Sequence, residues 1–262
     1  MTILRQLLMP TLILLGLLSA ASTPVLAERP IVAAASDLQF ALEDVASRFQ
    51  ADSGHTVRLN FGSSGNFRRQ IAQGAPFELY LSADEAYVEA LYRDGHLEDE
   101  GVLYAIGRVV IAAPASRPEL VDGSLETLRG ALESGRITRF AIANPDHAPY
   151  GVAARQALQA AGLWERIEPY LVYGENVSQA ARYALSDDTD GGIIAYSLVR
   201  AQALSERSAY ELIPEDRHEP LRQRMALVNG AGATARAFYE YLQQDPARAI
   251  LAAYGFVLPE DD

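Results

Sequence analysis

The sequence predicts an α/β protein of two lobes, each a mixed, mainly parallel sheet flanked by helices. Three observations predict it. Short β-rich runs alternate with stretches of helical periodicity. That alternation occurs twice, in units of roughly 100 residues, a size that suits two lobes better than one continuous sheet. Four further strand runs fall between the units or after the second one, where the chain would pass from lobe to lobe.

The first unit opens on the apolar run Ile31 to Ala35, followed by Leu38, Leu42, Val45, Ala46 and Phe49 at helical spacing. Val57 to Phe61 reads as a second strand, and Phe67, Ile71 and Ala72 mark a short helix. Leu79 to Leu81 is a third strand, with a helix over Asp84 to Tyr92. In the second unit, strands at Phe140 to Ala143, Leu171 to Tyr173 and Gly192 to Ala195 lead into helices at Val152 to Ala161, Ser178 to Leu185 and Ser197 to Ala203. The crossing candidates are Tyr104 to Ile106, Val109 to Ala113, Tyr210 to Ile213 and Met225 to Val228. Two closing helices, Thr234 to Gln243 and Pro246 to Tyr254, are expected to return to the first lobe. The expected division is therefore 28–108 with 225–262 for the first lobe and 109–224 for the second.

Ahead of the fold, Arg5, the apolar run Leu7 to Leu18 and the small-residue pattern Val25-Leu26-Ala27 read as a secretory signal peptide over residues 1–27, cut after Ala27. The protein is expected in the periplasm. The chain has no cysteine, which excludes a lipid anchor at the cleavage site, disulfides and Cys-ligated metals. With 49% hydrophobic residues it can rely on its apolar core. All 22 basic residues are arginine, against 34 acids, for a net charge of −12. That balance argues against nucleic acid, which needs a basic face. It leaves a small anion open, because distant surface charge is screened within about 10 Å.

Two loops of the first unit carry the chemistry. Ala33-Ala34-Ala35-Ser36-Asp37 ends one strand and opens a helix, and Gly62-Ser63-Ser64-Gly65-Asn66 does the same after the next. First-turn amides of a helix lack intrahelical partners and sit at its positive end. An anion there receives amide and hydroxyl hydrogen bonds together. Ser, Asp or Asn at a helix start is also a common cap without any ligand. Two such ends at the carboxyl edge of one parallel sheet lie where open α/β sheets bind ligands. The second unit offers two more such loops, Asn144 to Gly151 and Tyr173 to Ser178. If the lobes face each other, four helix starts meet at one cleft, and none of these positions is basic.

On these stretches the chain resembles the molybdate-binding proteins of ABC transporters over essentially its whole mature length. The matching segments are Ala33-Ala34-Ala35-Ser36, Phe61-Gly62-Ser63-Ser64-Gly65, Gly74-Ala75-Pro76-Phe77-Glu78 with Ser82-Ala83-Asp84, Pro149-Tyr150-Gly151, Gly174 to Ala180 and Tyr254-Gly255-Phe256. The resemblance implies the two-lobed periplasmic binding protein fold of the second topological class. It implies a monomer that captures molybdate or tungstate between its lobes and hands it to the membrane permease of an ABC importer. It implies no enzyme activity, no cofactor, and molybdenum or tungsten held only as the oxyanion. Ser36 and Ser64 would donate through hydroxyl and amide, Asp37, Tyr150 and Val177 through the amide. One branch of the family has a ligand-binding tyrosine where this chain has Ala195; Tyr196, one residue on, is the candidate contact here, although a one-residue slip along a strand turns a side chain to the other face.

Alternatives stay open on the residues. The Asp37 carboxylate either faces solvent at a helix start or accepts a proton from a protonated oxyanion such as phosphate or arsenate; a sulfate-type ligand is also possible. A secreted serine hydrolase with Ser36 or Ser64 as nucleophile would need one of His55, His96, His147 or His218 within hydrogen-bond reach. His147 reads as a loop residue near the cleft, and Trp164 as a packing residue.

Overall fold

The computed structural model describes residues 29–259, so the expected signal peptide lies outside the described residues. The first sheet receives β1 (Ile31–Ala35), β2 (Arg58–Gly62), β3 (Leu79–Ser82) and β4 (Val102–Gly107), connected through α1 (Gln39–Ser53), α2 (Ser64–Ala72) and α3 (Glu85–Arg93). The chain then builds β5 (Val109–Pro114), α4 (Glu126–Glu133), β6 (Phe140–Ala143), α5 (Pro149–Ala160), α6 (Trp164–Ile167), β7 (Leu171–Gly174), α7 (Val177–Ala184), β8 (Gly192–Ala195), α8 (Tyr196–Arg200), α9 (Gln202–Ser205) and β9 (Ser208–Leu212). It closes with β10 (Leu221–Leu227), α10 (Ala233–Tyr241) and α11 (Asp245–Ala253).

These strands make two five-stranded sheets, ordered β2-β1-β3-β10-β4 and β7-β6-β8-β5-β9. In the first, β1 runs parallel to β2 and β3, while β10 is antiparallel to β3 and β4. In the second, β6 is parallel to β7 and β8, and β5 antiparallel to β8 and β9. Each sheet thus has three parallel strands from βα units, then one antiparallel strand (β10 or β5), and a fifth strand (β4 or β9) that pairs antiparallel with it at the edge. This is the two-lobed, mixed-sheet periplasmic binding protein fold.

The strand runs expected to pass between lobes do not themselves cross. β4 and β5 each stay in their own sheet, and the single residue Arg108 separates them. The return passage is 213–220, between β9 and β10. An expected boundary at 224/225 cuts through β10, which is one strand of the first sheet from Leu221 onward.

Packing follows the periodicities of the chain. Along β1, Val32 and Ala34 join the core beneath α1 with Leu42, Phe49, Leu79 and Leu81, while Ala33 faces the other way onto Phe67, Ile71, Tyr80 and Val88. α1 buries Ala41, Leu42, Val45 and Phe49, and it ends at Gly54, whose φ of 75° and amide bond to the Gln50 carbonyl make a left-handed cap. The C-terminal helices return to this core: Phe238 of α10 meets Phe49 at a ring separation of 5.0 Å, and Leu251 of α11 is buried beside it. In the second sheet the three central strands, β6, β8 and β5, are buried on both faces, as a run such as Val109 to Ala113 demands. No helix among the described residues is long and apolar enough to cross a membrane.

Candidate functional site

The carboxyl ends of β1, β2, β6 and β7 all lead into helices, β6 through the five-residue loop 144–148 and the others within two residues. After β1 the chain makes a 3-10 turn, Ser36–Leu38, before α1. After β2, Ser63 holds extended geometry and α2 begins at Ser64. α5 begins at Pro149, where a missing N–H costs the helix nothing, so Tyr150 carries its first free amide. α7 begins at Val177 behind Asn176, whose side chain accepts from the Gln179 amide at 2.9 Å. The four helix starts surround one small hollow, open to the centre of a water-sized group over about 10 Å³, and Ser36, Asp37, Ser64, Tyr150 and Val177 all line it. Ala35, Gly62, Ser63 and Ala83 complete the first-lobe wall, Ala148 and Pro149 the second.

The two serines are oriented as donors. The Ser36 hydroxyl oxygen accepts from the Ser178 amide at 3.2 Å, and that of Ser64 accepts from the Ala83 amide at 3.0 Å. Each oxygen has its acceptor role satisfied by backbone, so its hydroxyl hydrogen remains to be given to a guest. The start of α2 is held in place from below by Tyr80 of β3, which donates to the Ser64 carbonyl at 2.8 Å. Other first-turn amides have partners: Gly65 donates to the His147 carbonyl at 2.9 Å and Gln179 to Asn176. The amides of Ser36, Ser64, Tyr150 and Val177 have no acceptor among the described residues.

In the second lobe the side chains are engaged elsewhere. Val177 packs into the second-lobe core. The Tyr150 hydroxyl crosses to the first lobe and donates to Asp37 Oδ2 at 3.0 Å. Gln223 of β10 donates to the same oxygen at 2.7 Å and accepts from Tyr104 of β4 at 2.7 Å. Asp37 is 1% exposed, and its Oδ1 is buried without a partner. Burial raises its pKa from 3.8 to about 6, against the lowering effect of the bonds from Gln223 and Tyr150 and of the Asp37 and Leu38 amides. Burial and the nearby Asp37 push the tyrosine Tyr150 well up, so its phenol remains the donor.

A seam of polar contacts joins the lobes around the hollow. The Ser178 hydroxyl donates to Gln39 Oε1 at 2.5 Å, the Ser197 hydroxyl to the Asp37 carbonyl at 2.7 Å, and His147 Nδ1 lies 2.9 Å from the Ser63 hydroxyl. Gly65 lies against the His147 backbone so closely that a Cβ there would stand 2.7 Å from the His147 carbonyl oxygen.

Two expectations need correction. Tyr196 is not at the hollow. As the first residue of α8 it turns outward, its ring 6.0 Å from that of Tyr210 and stacked under the guanidinium groups of Arg108 and Arg200. The one-residue slip from the strand end decides this, and its neighbour Ser197 points inward instead. Second, neither Ser36 nor Ser64 has an imidazole partner among the described residues. The buried His147 is bonded to Ser63, and its Nε2 lies 3.7 Å from the exposed Glu175 carboxylate. His147 is a fixed part of the seam rather than a plain loop residue.

Ser63, Ser178, Ser197 and Gln223 were not legible as site residues from sequence. Gln223 alone left a signal: it sits in the inward row Leu221, Gln223, Met225 of β10, a polar residue where the strand's alternation calls for an apolar one.

The model of the family described as bacterial extracellular solute-binding protein matches residues 31–257 of the chain. The molybdate-binding protein ModA of Rhodobacter capsulatus is 33% identical over 246 residues, 93% of this chain and 94% of that one. Its counterpart from Azotobacter vinelandii is 33% identical over 231 residues, covering 87% and 89% respectively. The solved structure of the Azotobacter vinelandii periplasmic molybdate-binding protein superposes with a TM-score of 0.81 at 30% identity, over 88% of this chain and 100% of that one.

Proposed function

The chain belongs to the bacterial extracellular solute-binding protein family, and from that premise we propose that its interlobe hollow captures molybdate, with tungstate as its near-equivalent, for delivery to the permease of an ABC importer. Solute binding outside the cytoplasm is the role of the family, and it is not a family of enzymes. The finer reading is a monomer, freed into the periplasm by cleavage after Ala27, that does no chemistry on its ligand. The first lobe is taken as 28–108 plus β10 and the C-terminal helices, the second as the segment that forms the other sheet.

One observation carries the ligand class. Donors from four helix starts and two hydroxyls converge on a single small hollow, and among the described residues no arginine or histidine lines it. Neutral donors fixed by backbone suit a compact oxyanion that must be released again to a transporter. Ser36 and Ser64 donate through hydroxyl and amide, Tyr150 and Val177 through the amide alone. Each hydrogen bond to a charged group contributes about 1.5–3 kcal/mol, and five or six of them, less the cost of association, allow a free energy on the order of −8 kcal/mol, a micromolar constant or better. Only with the lobes together is the donor set complete, so binding and closure are linked.

Isothermal titration calorimetry with molybdate, tungstate, sulfate and phosphate tests the reading. Tight one-to-one binding of molybdate and tungstate, with sulfate and phosphate at least tenfold weaker, is expected. Preference for phosphate or sulfate moves the assignment to another oxyanion, and binding of none of the four removes it.

A further inference from the structure

The geometry points to a proton that enters the site together with the oxyanion: Asp37 takes it from hydronium or buffer acid in the solvent and presents a neutral carboxyl, a further hydrogen-bond donor, to the ligand. This rests on the oxyanion reading above. Asp37 lines the hollow beside the donors of Ser36, Ser64, Tyr150 and Val177. One carboxylate oxygen is fully engaged by Tyr150 and Gln223, at 3.0 and 2.7 Å. The other, Oδ1, is buried and has no donor among the described residues. An ionised carboxylate so placed would face a dianion across a desolvated gap, which is costly without a cation. A protonated one has an O–H to give, and only one of its oxygens lacks a partner.

Among the described residues no cation faces Asp37 to relieve the repulsion. β10 contributes the neutral Gln223, β4 the Tyr104 behind it, and α5 the Tyr150 hydroxyl. From α8 the Ser197 hydroxyl reaches the Asp37 carbonyl, and on its own turn Ser36 and the Leu38 amide are uncharged. Tyr104 and Tyr150 are held protonated by burial and by Asp37 itself. His147, the imidazole of the seam, is bonded to Ser63 instead. The proton therefore has one place to go. The step breaks an O–H bond of hydronium or an N–H bond of a protonated buffer amine and forms an O–H bond on the Asp37 carboxylate, leaving water or the neutral amine behind; nothing else changes.

The direction with pH follows. Below about 6 Asp37 is already neutral in the free protein, so binding takes up no proton and affinity is flat. Above it, one proton enters per anion, and Kd rises up to about tenfold per pH unit until the pKa of the complex is reached.

The test is calorimetric titration of the full mature protein with molybdate between pH 6 and pH 8.5, in PIPES and in Tris, whose ionisation enthalpies differ. At pH 7.5 the observed enthalpies should differ by the amount expected for nearly one proton taken up per molybdate. The Asp37→Asn variant keeps an acceptor for Tyr150 and Gln223 and supplies a permanent N–H donor. It should bind with no pH slope, and at least tenfold more tightly than the unsubstituted protein at pH 8. His147→Gln should retain the slope whatever its affinity. Buffer-independent enthalpy together with a flat pH profile in the unsubstituted protein overturns the inference while leaving molybdate binding standing. A slope that persists in Asp37→Asn, or vanishes in His147→Gln, also overturns it. Absence of molybdate binding at every pH overturns the oxyanion reading and this inference with it.

Discussion

The first lobe meets the hollow with side chains, the second with main chain. Ser36 and Ser64 offer hydroxyls whose oxygens are already held by the Ser178 and Ala83 amides. Tyr150 and Val177 offer only amides, while their side chains serve as a strut to Asp37 and as core packing. The difference teaches where sequence identity matters. A hydroxyl is a property of one residue type, so the first-lobe wall is specified residue by residue. A helix-start amide is a property of backbone geometry, so the second-lobe wall is specified by Pro149, by the Asn176 cap and by the turn itself.

The sharpest way to break this contrast is to keep every donor and stop the lobes from meeting. Gly65→Ala places a Cβ 2.7 Å from the His147 carbonyl oxygen and 3.0 Å from its Cα, backbone against backbone. Both lobes should fold, but the closed state becomes rare, and the molybdate Kd should rise about 100-fold or more; a change under threefold would mean that closure does not gate binding. Next in size, Ser36→Ala and Ser64→Ala each remove a hydrogen bond to a charged guest, about 1.5–3 kcal/mol, and should weaken binding by roughly 10- to 100-fold in titration.

Tyr150→Phe separates the two jobs of that residue. The amide remains, so affinity should move by only a few-fold, but Asp37 loses one of its two side-chain donors. Stability should fall by about 1–3 kcal/mol at pH 8 in chemical denaturation, and by less below pH 6, where the Asp37 carboxyl is protonated and the phenol no longer serves an anion. Val177→Ile should leave affinity within about threefold, since the second-lobe donor is backbone. Smallest of all, Tyr196→Phe should change nothing measurable in binding, because its ring lies with Arg108, Arg200 and Tyr210. A large loss from Val177→Ile alongside a small one from Ser36→Ala would invert the comparison.

Asp37 also leaves a signature in stability. Its folded pKa, about 6, stands above the unfolded value of 3.8, so the native state binds the proton more tightly. The stability this group contributes is present in full below about pH 4 and is lost as pH rises through 6, by about 3 kcal/mol in all. Asp122 runs the other way: backbone and hydroxyl bonds from Thr127 and Ser124 lower it to about 2, so what it contributes is kept above its unfolded pKa of 3.8 and lost only as pH falls through 2. Asp37→Asn should therefore stabilise the unliganded protein at pH 8 and have little effect at pH 4.

Much of this architecture was legible because it repeats simple patterns. The apolar runs of β1, β3, β6 and β8 and the helical spacing of α1 leave little choice of element or face. The four helix starts were legible because Ser, Pro and Asn occupy the positions that turns and caps require. What sequence reasoning missed was set by tertiary placement. α4 starts after Leu125, a non-glycine residue at a φ of 65°, in a turn held by Asp122 bonds to the Ser124 and Thr127 amides; a left-handed leucine carries no sequence signal. Ser197 and Ser178 became part of the seam only because the lobes meet there. Tyr196 misled because a strand that ends one residue early turns the following side chain outward. The buried carboxylate of Asp37 was ambiguous for a like reason: a helix-start acid ordinarily faces water, and this one is covered by Tyr150 of the second lobe together with Gln223 of β10.

The central claim is that one molybdate sits among these donors. Anomalous X-ray scattering at the molybdenum edge, from crystals of the mature protein grown with molybdate, tests it most directly. The account predicts a single strong peak in the hollow, with oxygens within hydrogen-bond distance of the Ser36 and Ser64 hydroxyls and of the Tyr150 and Val177 amides. A peak elsewhere on the molecule, or none between the lobes at saturating molybdate, would contradict it.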